Sequence, residues 1–145
     1  MLRSTVITQG AKITARCEAC SGVLILDTGQ FIERGRLWWG TEGHCLSCPV
    51  AWCEQDSGDA TPEEIRKVLL AEHGPARLRL TEPEASAVPV LRALREVHSL
   101  SLTQARSMAA ELKTTGLVGT LVEMELIAAR LRHHSVKTTV ETSSS

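Results

Sequence analysis

Four of the five cysteines fall in two pairs, Cys17-Glu18-Ala19-Cys20 and Cys45-Leu46-Ser47-Cys48, and the fifth, Cys53, follows closely. Two residues between cysteines let both thiolates of a pair turn toward one ion, and two pairs complete the tetrahedral sulfur shell that zinc favours. The stretch between the pairs must then run out and return. Val23-Leu24-Ile25-Leu26 has the length and branching of a strand, and Asp27-Thr28-Gly29 reads as a turn. Gln30 to Arg34 reads as a returning strand, and Arg34-Gly35-Arg36 as a second turn. Leu37-Trp38-Trp39 then leads into the second pair. Upstream, Ser4 to Ile7 and Lys12 to Arg16 are β-compatible, with a turn expected at Gln9-Gly10.

The arrangement of Cys17, Cys20, Cys45 and Cys48 resembles a zinc ribbon over roughly residues 15–52, with a gap between knuckles a little longer than the usual range. Four sulfurs leave no coordination position for water or substrate, so the zinc is expected to be structural. Free thiols or a redox pair are the competing readings. A redox Cys-x-x-Cys sits in a strand-helix context that these turns do not offer, and a zinc deaminase needs a His-x-Glu motif that none of the histidines supplies. His44 and Cys53 are spare donors. Either could replace one of the four, and both are expected to be neighbours instead.

No long apolar run opens the sequence and none approaches the roughly 18 apolar residues of a membrane span, so a cytoplasmic protein without membrane contact is expected. In a reducing compartment paired cysteines serve as metal ligands more often than as disulfides. The formal net charge of −1 argues against a protein that lives on bulk nucleic acid, which draws on uncompensated Lys and Arg. Trp38 and Trp39 point to opposite faces if they lie on a strand. Arg34 and Arg36 beside them leave nucleic-acid binding by the ribbon as one reading, diluted by Glu33 and Glu42.

Gln55 to Asp59 is polar and turn-prone, a natural boundary. Thr61, Pro62, Glu63 and Glu64 then form a helix start, with an N-cap, a first-turn proline and acidic residues at the positive end of the dipole. Ile65, Val68 and Leu69 make its apolar stripe and Gly74-Pro75 ends it. The stripe must be buried, so the helix is expected to be a docking strut. Beyond it, Ala76 to Thr81 alternates as a strand. A helix begins near Ser86 or Ala87 and runs to Val97, and a second opens at Thr103. Gly116 to Gly119 suits a short strand, and Thr120 with Glu123 is a capping-box signature for a third helix carrying Leu121, Met124, Ile127, Ala128 and Leu131. Val136 to Glu141 alternates again. The expected fold is therefore α+β: a β-rich module over residues 1–59, a connecting helix over 60–75, a β-α-α-β-α-β domain over 76–141, and a frayed tail over 142–145.

With that order and the stretch LREVHSLSLTQARSMA in view, residues 76–141 resemble the C-terminal domain of the bacterial ribosomal stalk protein. In that family a three-stranded sheet is packed on three helices, and the first two helices present the surface that recruits translational GTPases, so the resemblance implies the same layering here. Val88, Leu91, Arg92, Arg95, Leu102 and Arg106 fall on its contact positions with similar side chains. Ser99 and Ser101 stand where the family has glycines, and Thr103 where it has a lysine. The resemblance implies a non-enzymatic protein-protein adaptor whose partner is a translation factor or ribosome-associated protein. An immunity protein that neutralises a cognate toxin is an alternative built on the same small, non-catalytic character. The bland reading of the arginines is a solvated helix face whose long stems cover apolar surface.

Overall fold

The computed structural model describes residues 7–142, and the expected strand residues Ser4 to Val6 lie outside the described residues. Among the described residues the fold is mixed α and β, with two antiparallel sheets and four helices. The chain divides into two compact units after Glu72.

The first unit is a meander of β1 (Thr8–Arg16), β2 (Val23–Glu33), β3 (Arg36–Cys45) and β4 (Ala51–Ser57), paired in that order, followed by α1 (Glu63–His73). The turn between β2 and β3 is the two-residue pair Arg34 and Gly35, both with positive φ (52° and 73°), the left-handed geometry that matches strand twist. Two expected turns are absent. Gln9-Gly10 lies inside β1 and Asp27-Thr28-Gly29 inside β2. The reason is a cross-strand row in which Gly10 faces Gly29 and Gly29 faces Gly40. A Cβ at Gly40 would come within 3.0 Å of the Glu54 carbonyl oxygen, so glycine here serves close packing of strands and not a reversal. Thr28 adds a side-chain tie, donating to the Gly40 carbonyl at 3.1 Å. The polar stretch expected to be a boundary is in part strand, because Gln55 and Asp56 pair with Gly40 and Trp39.

Register assigns the faces. Leu26, Thr28, Gln30, Leu37, Trp39, Thr41 and Cys45 share one side of the sheet, and Asp27, Phe31, Trp38, Glu42 and His44 share the other. The first side is the inner one: Ala11, Thr28, Gln30 and Leu37 are buried there. Gln30 Nε2 donates to the Thr61 hydroxyl at 2.7 Å, tying the sheet interior to the approach of α1. Trp38 stacks on Phe31 on the outer side, with ring centroids 6.2 Å apart.

The second unit runs β5 (Ala76–Leu80), α2 (Ala87–Val97), α3 (Leu102–Thr114), β6 (Leu117–Gly119), α4 (Leu121–His133) and β7 (Thr138–Thr142), with sheet order β6-β5-β7. Ala76, Leu78 and Leu80 alternate into a core with Val90, Ala93 and Leu94 of α2, Leu112 of α3, and Ile127, Ala128 and Leu131 of α4. Arg77 and Arg79 take the other face, where Arg79 Nε meets Glu141 at 2.7 Å. The capping box at α4 forms: the Glu123 N–H donates to Thr120 Oγ1 at 3.2 Å, and the Thr120 N–H to Glu123 Oε1 at 2.9 Å. α3 starts at Leu102 and not at Thr103, because Ser101 and Gln104 build a second capping box one residue earlier than a Thr103 start allows. Gly116, at φ +88°, stands where a Cβ would fall 2.7 Å from the Leu78 carbonyl oxygen. Thr142 belongs to β7 and not to a tail, since it pairs with Ala76.

Candidate metal centre and interaction surface

The sulfur cluster is built from backbone upward. β1 ends at Arg16 and β3 at Cys45, so the two knuckles leave the same end of the sheet. In the first, the Ser21 N–H donates to the Cys17 carbonyl at 2.8 Å and the Cys17 N–H to the Gly22 carbonyl at 2.9 Å, with Ser21 at φ 63°. The second closes through the Cys45 N–H on the Val50 carbonyl at 2.9 Å. It is moored to β2 by the Leu46 N–H on the Val23 carbonyl at 2.9 Å. Each knuckle also aims an N–H at sulfur: Gly22 at Cys20 and Ser47 at Cys45, both at 3.3 Å. These donors favour thiolate.

Cys17, Cys20, Cys45 and Cys48 converge so that their sulfurs all lie within 4.8 Å of one another. Cys17 and Cys48 are 3.8 Å apart and Cys20 and Cys45 3.4 Å apart, too far for a disulfide at about 2.05 Å. Four sulfurs at about 2.3 Å from one tetrahedral ion would stand about 3.8 Å from each other. The cluster is therefore positioned to hold a metal ion, and its spacing is consistent with zinc.

The electrostatics point the same way. The Ser47 N–H draws the Cys45 thiol down to about 6. The Gly22 N–H acts likewise on Cys20, yet the neighbouring Cys45 and Cys48 sulfurs and burial outweigh it and push Cys20 up to about 12. Cys48 is pulled down by the Val50 N–H and pushed up more strongly by burial and by Cys45. Four sulfurs this close cannot all carry charge unaided, and a divalent cation among them removes the conflict.

His44 and Cys53 stay out of the cluster. His44 precedes Cys45 on β3 and so points to the other face, and Cys53 faces Glu42 on that same outer side. Both are exposed. The backbone donors Gly22 and Ser47 went unread in the sequence, although each sits two residues beyond a cysteine.

The six residues of the α2–α3 corner divide by exposure. Val88 and Leu102 are exposed at 57% and 44%, and Arg92, Arg95 and Arg106 are exposed as well. Leu91 is half-buried and packs on the core. Arg95 Nε donates to the Leu100 carbonyl at 3.3 Å, bracing the corner from outside. Among the described residues none of the three guanidinium groups is ion-paired. No described helix is long and apolar enough to cross a membrane.

No known protein family, curated protein or solved structure matches this chain.

Proposed function

We propose that the chain is a non-enzymatic protein-protein adaptor of the cytoplasm. In this reading Cys17, Cys20, Cys45 and Cys48 bind a structural zinc ion that makes the first unit a zinc-ribbon-like module. The second unit is a stalk-protein-like domain that grips its partner through Val88, Leu91, Arg92, Arg95, Leu102 and Arg106. A four-sulfur shell leaves zinc no site for a substrate, which favours a structural role. The observation that carries the binding surface is the pair of exposed apolar side chains, Val88 and Leu102, among three exposed arginines without a counter-charge. Apolar side chains among arginines make the composition of an interface centre. Their free charge favours a partner that presents carboxylates beside an apolar hollow. A translation factor or ribosome-associated protein is the candidate partner, on the likeness of the second unit to the stalk domain.

The test is capture from lysate by the full chain and by the double variant Arg92→Glu, Arg95→Glu, with circular dichroism to show that both fold. Partners should be retained by the first and lost by the second. Equal capture by the two would remove this surface from consideration.

A further inference from the structure

The first unit also holds a cavity of about 430 Å³, open to solvent, between the inner face of its sheet and α1. Ile13, Leu26 and Trp39 from the sheet and Ile65 and Val68 from the helix give it apolar walls. Three carboxylates share its lining: Glu54 and Asp56 on β4 and Glu64 in the first turn of α1. No lysine, arginine or histidine does.

The placement follows from register. Asp56 lies directly opposite Trp39, and Glu54 opposite Thr41. The polar groups deeper in are already satisfied: Thr28 donates to the Gly40 carbonyl, and Thr41 donates to Thr28 at 2.9 Å. Asp56 accepts the Ser57 N–H at 2.8 Å. Glu54 and Glu64 have no ion-pair partner among the described residues. Negative charge thus gathers beside an apolar hollow without a counter-ion, and an indole in the same wall adds a π surface. An anion is repelled by such a site and a neutral apolar ligand leaves its charge unanswered. A cation on a short aliphatic stem meets both demands.

We propose that this cavity binds an alkylammonium group, whether of a free diamine or of a lysine side chain presented by another protein. The stem would lie along Leu26, Ile65 and Val68, and the ammonium group between Asp56, Glu54, Glu64 and the Trp39 ring. The site is independent of the α2–α3 corner, so it stands or falls apart from the adaptor reading.

The experiment is a titration of the full chain followed by NMR at the Trp39 indole and the Ile65 and Val68 methyl groups. The probes are 1,5-diaminopentane, N-acetyl-lysine amide, and pentanoate as the anionic control. Saturable shifts are expected with a cationic probe at millimolar concentration and none with pentanoate. The double variant Glu54→Gln, Glu64→Gln should weaken binding on the order of tenfold, Glu54→Gln alone should show part of that loss, and Glu33→Gln, outside the cavity, should leave it unchanged. Tighter binding of the diamine identifies a free amine as the ligand, and tighter binding of the lysine amide a protein-borne one. No shift with either cation, equal shifts with pentanoate, or undiminished binding in both variants would overturn the proposal.

Discussion

The two units are held together by different means. In the first, among the described residues, the fully or nearly buried apolar side chains other than cysteine are Ala11, Leu37 and Leu69, a thin core for four strands and a helix. In the second, leucines, valines and alanines from β5 and all three helices of the unit interlock into one cluster. Small modules that cannot bury enough apolar surface rely on a staple, whereas a layer of helices on a sheet can stand on burial alone. The cysteines occur only in the unit that has the thin core. Stability in the first unit should therefore depend on sulfur chemistry, and in the second on side-chain volume.

The largest expected effect breaks the first unit alone. Structural zinc contributes on the order of 10 kcal/mol or more in small zinc modules, comparable with the whole stability of a typical domain, about 5 to 15 kcal/mol. Its loss is ample to unfold a unit with so small a core. Chelation under reducing conditions, or Cys45→Ser, should collapse the amide resonances of β1 to β4 while those of α2 to α4 and β5 to β7 persist. Survival of β1 to β4 after chelation would show that the sheet's own packing suffices.

The converse test comes next in size. Leu94 of α2 is fully buried in the second core, and Leu94→Ala should cost about 2 to 5 kcal/mol through lost burial and a residual cavity. Denaturant unfolding followed by NMR should show the second unit melting earlier while zinc retention is unaltered. A fall in zinc affinity of similar size would mean that the two units do not stabilise separately.

The same contrast explains what the sequence disclosed. The convergence of the four cysteines was legible because two Cys-x-x-Cys pairs constrain geometry by spacing alone, and the α4 start because Thr120 and Glu123 are a local signal. Both depend on residues close in the chain. The glycine row was misread because Gly10 and Gly29 look like turn residues singly and acquire their role only beside Gly40, which is far away in sequence. β4 went unseen because it is an edge strand exposed along most of its length, so Glu54, Gln55 and Asp56 carry no apolar alternation. The acidic cavity was invisible for the same reason: Trp39, Asp56 and Glu64 meet only once β3, β4 and α1 are assembled.

The smallest effect sharpens the comparison by asking whether charge contributes to the second unit at all. His134, just past the end of α4, meets Glu96 of α2, with Nε2 and Oε2 3.0 Å apart. The hydrogen bond from His134, ahead of the attraction of nearby positive charges, holds the Glu96 carboxyl below the usual carboxylate range. A carboxyl whose pKa is lower in the folded than in the unfolded chain stabilises the fold above its unfolded value and loses that contribution as pH falls through its folded value. Glu96→Gln should therefore lower Tm slightly at neutral pH, and the gap from the parent chain should close on acidification through the carboxylate range. Both side chains are partly exposed, so screening keeps the difference to a few degrees at most, well below the effect of Leu94→Ala. A gap that stays constant with pH would assign this contact to packing and not to charge.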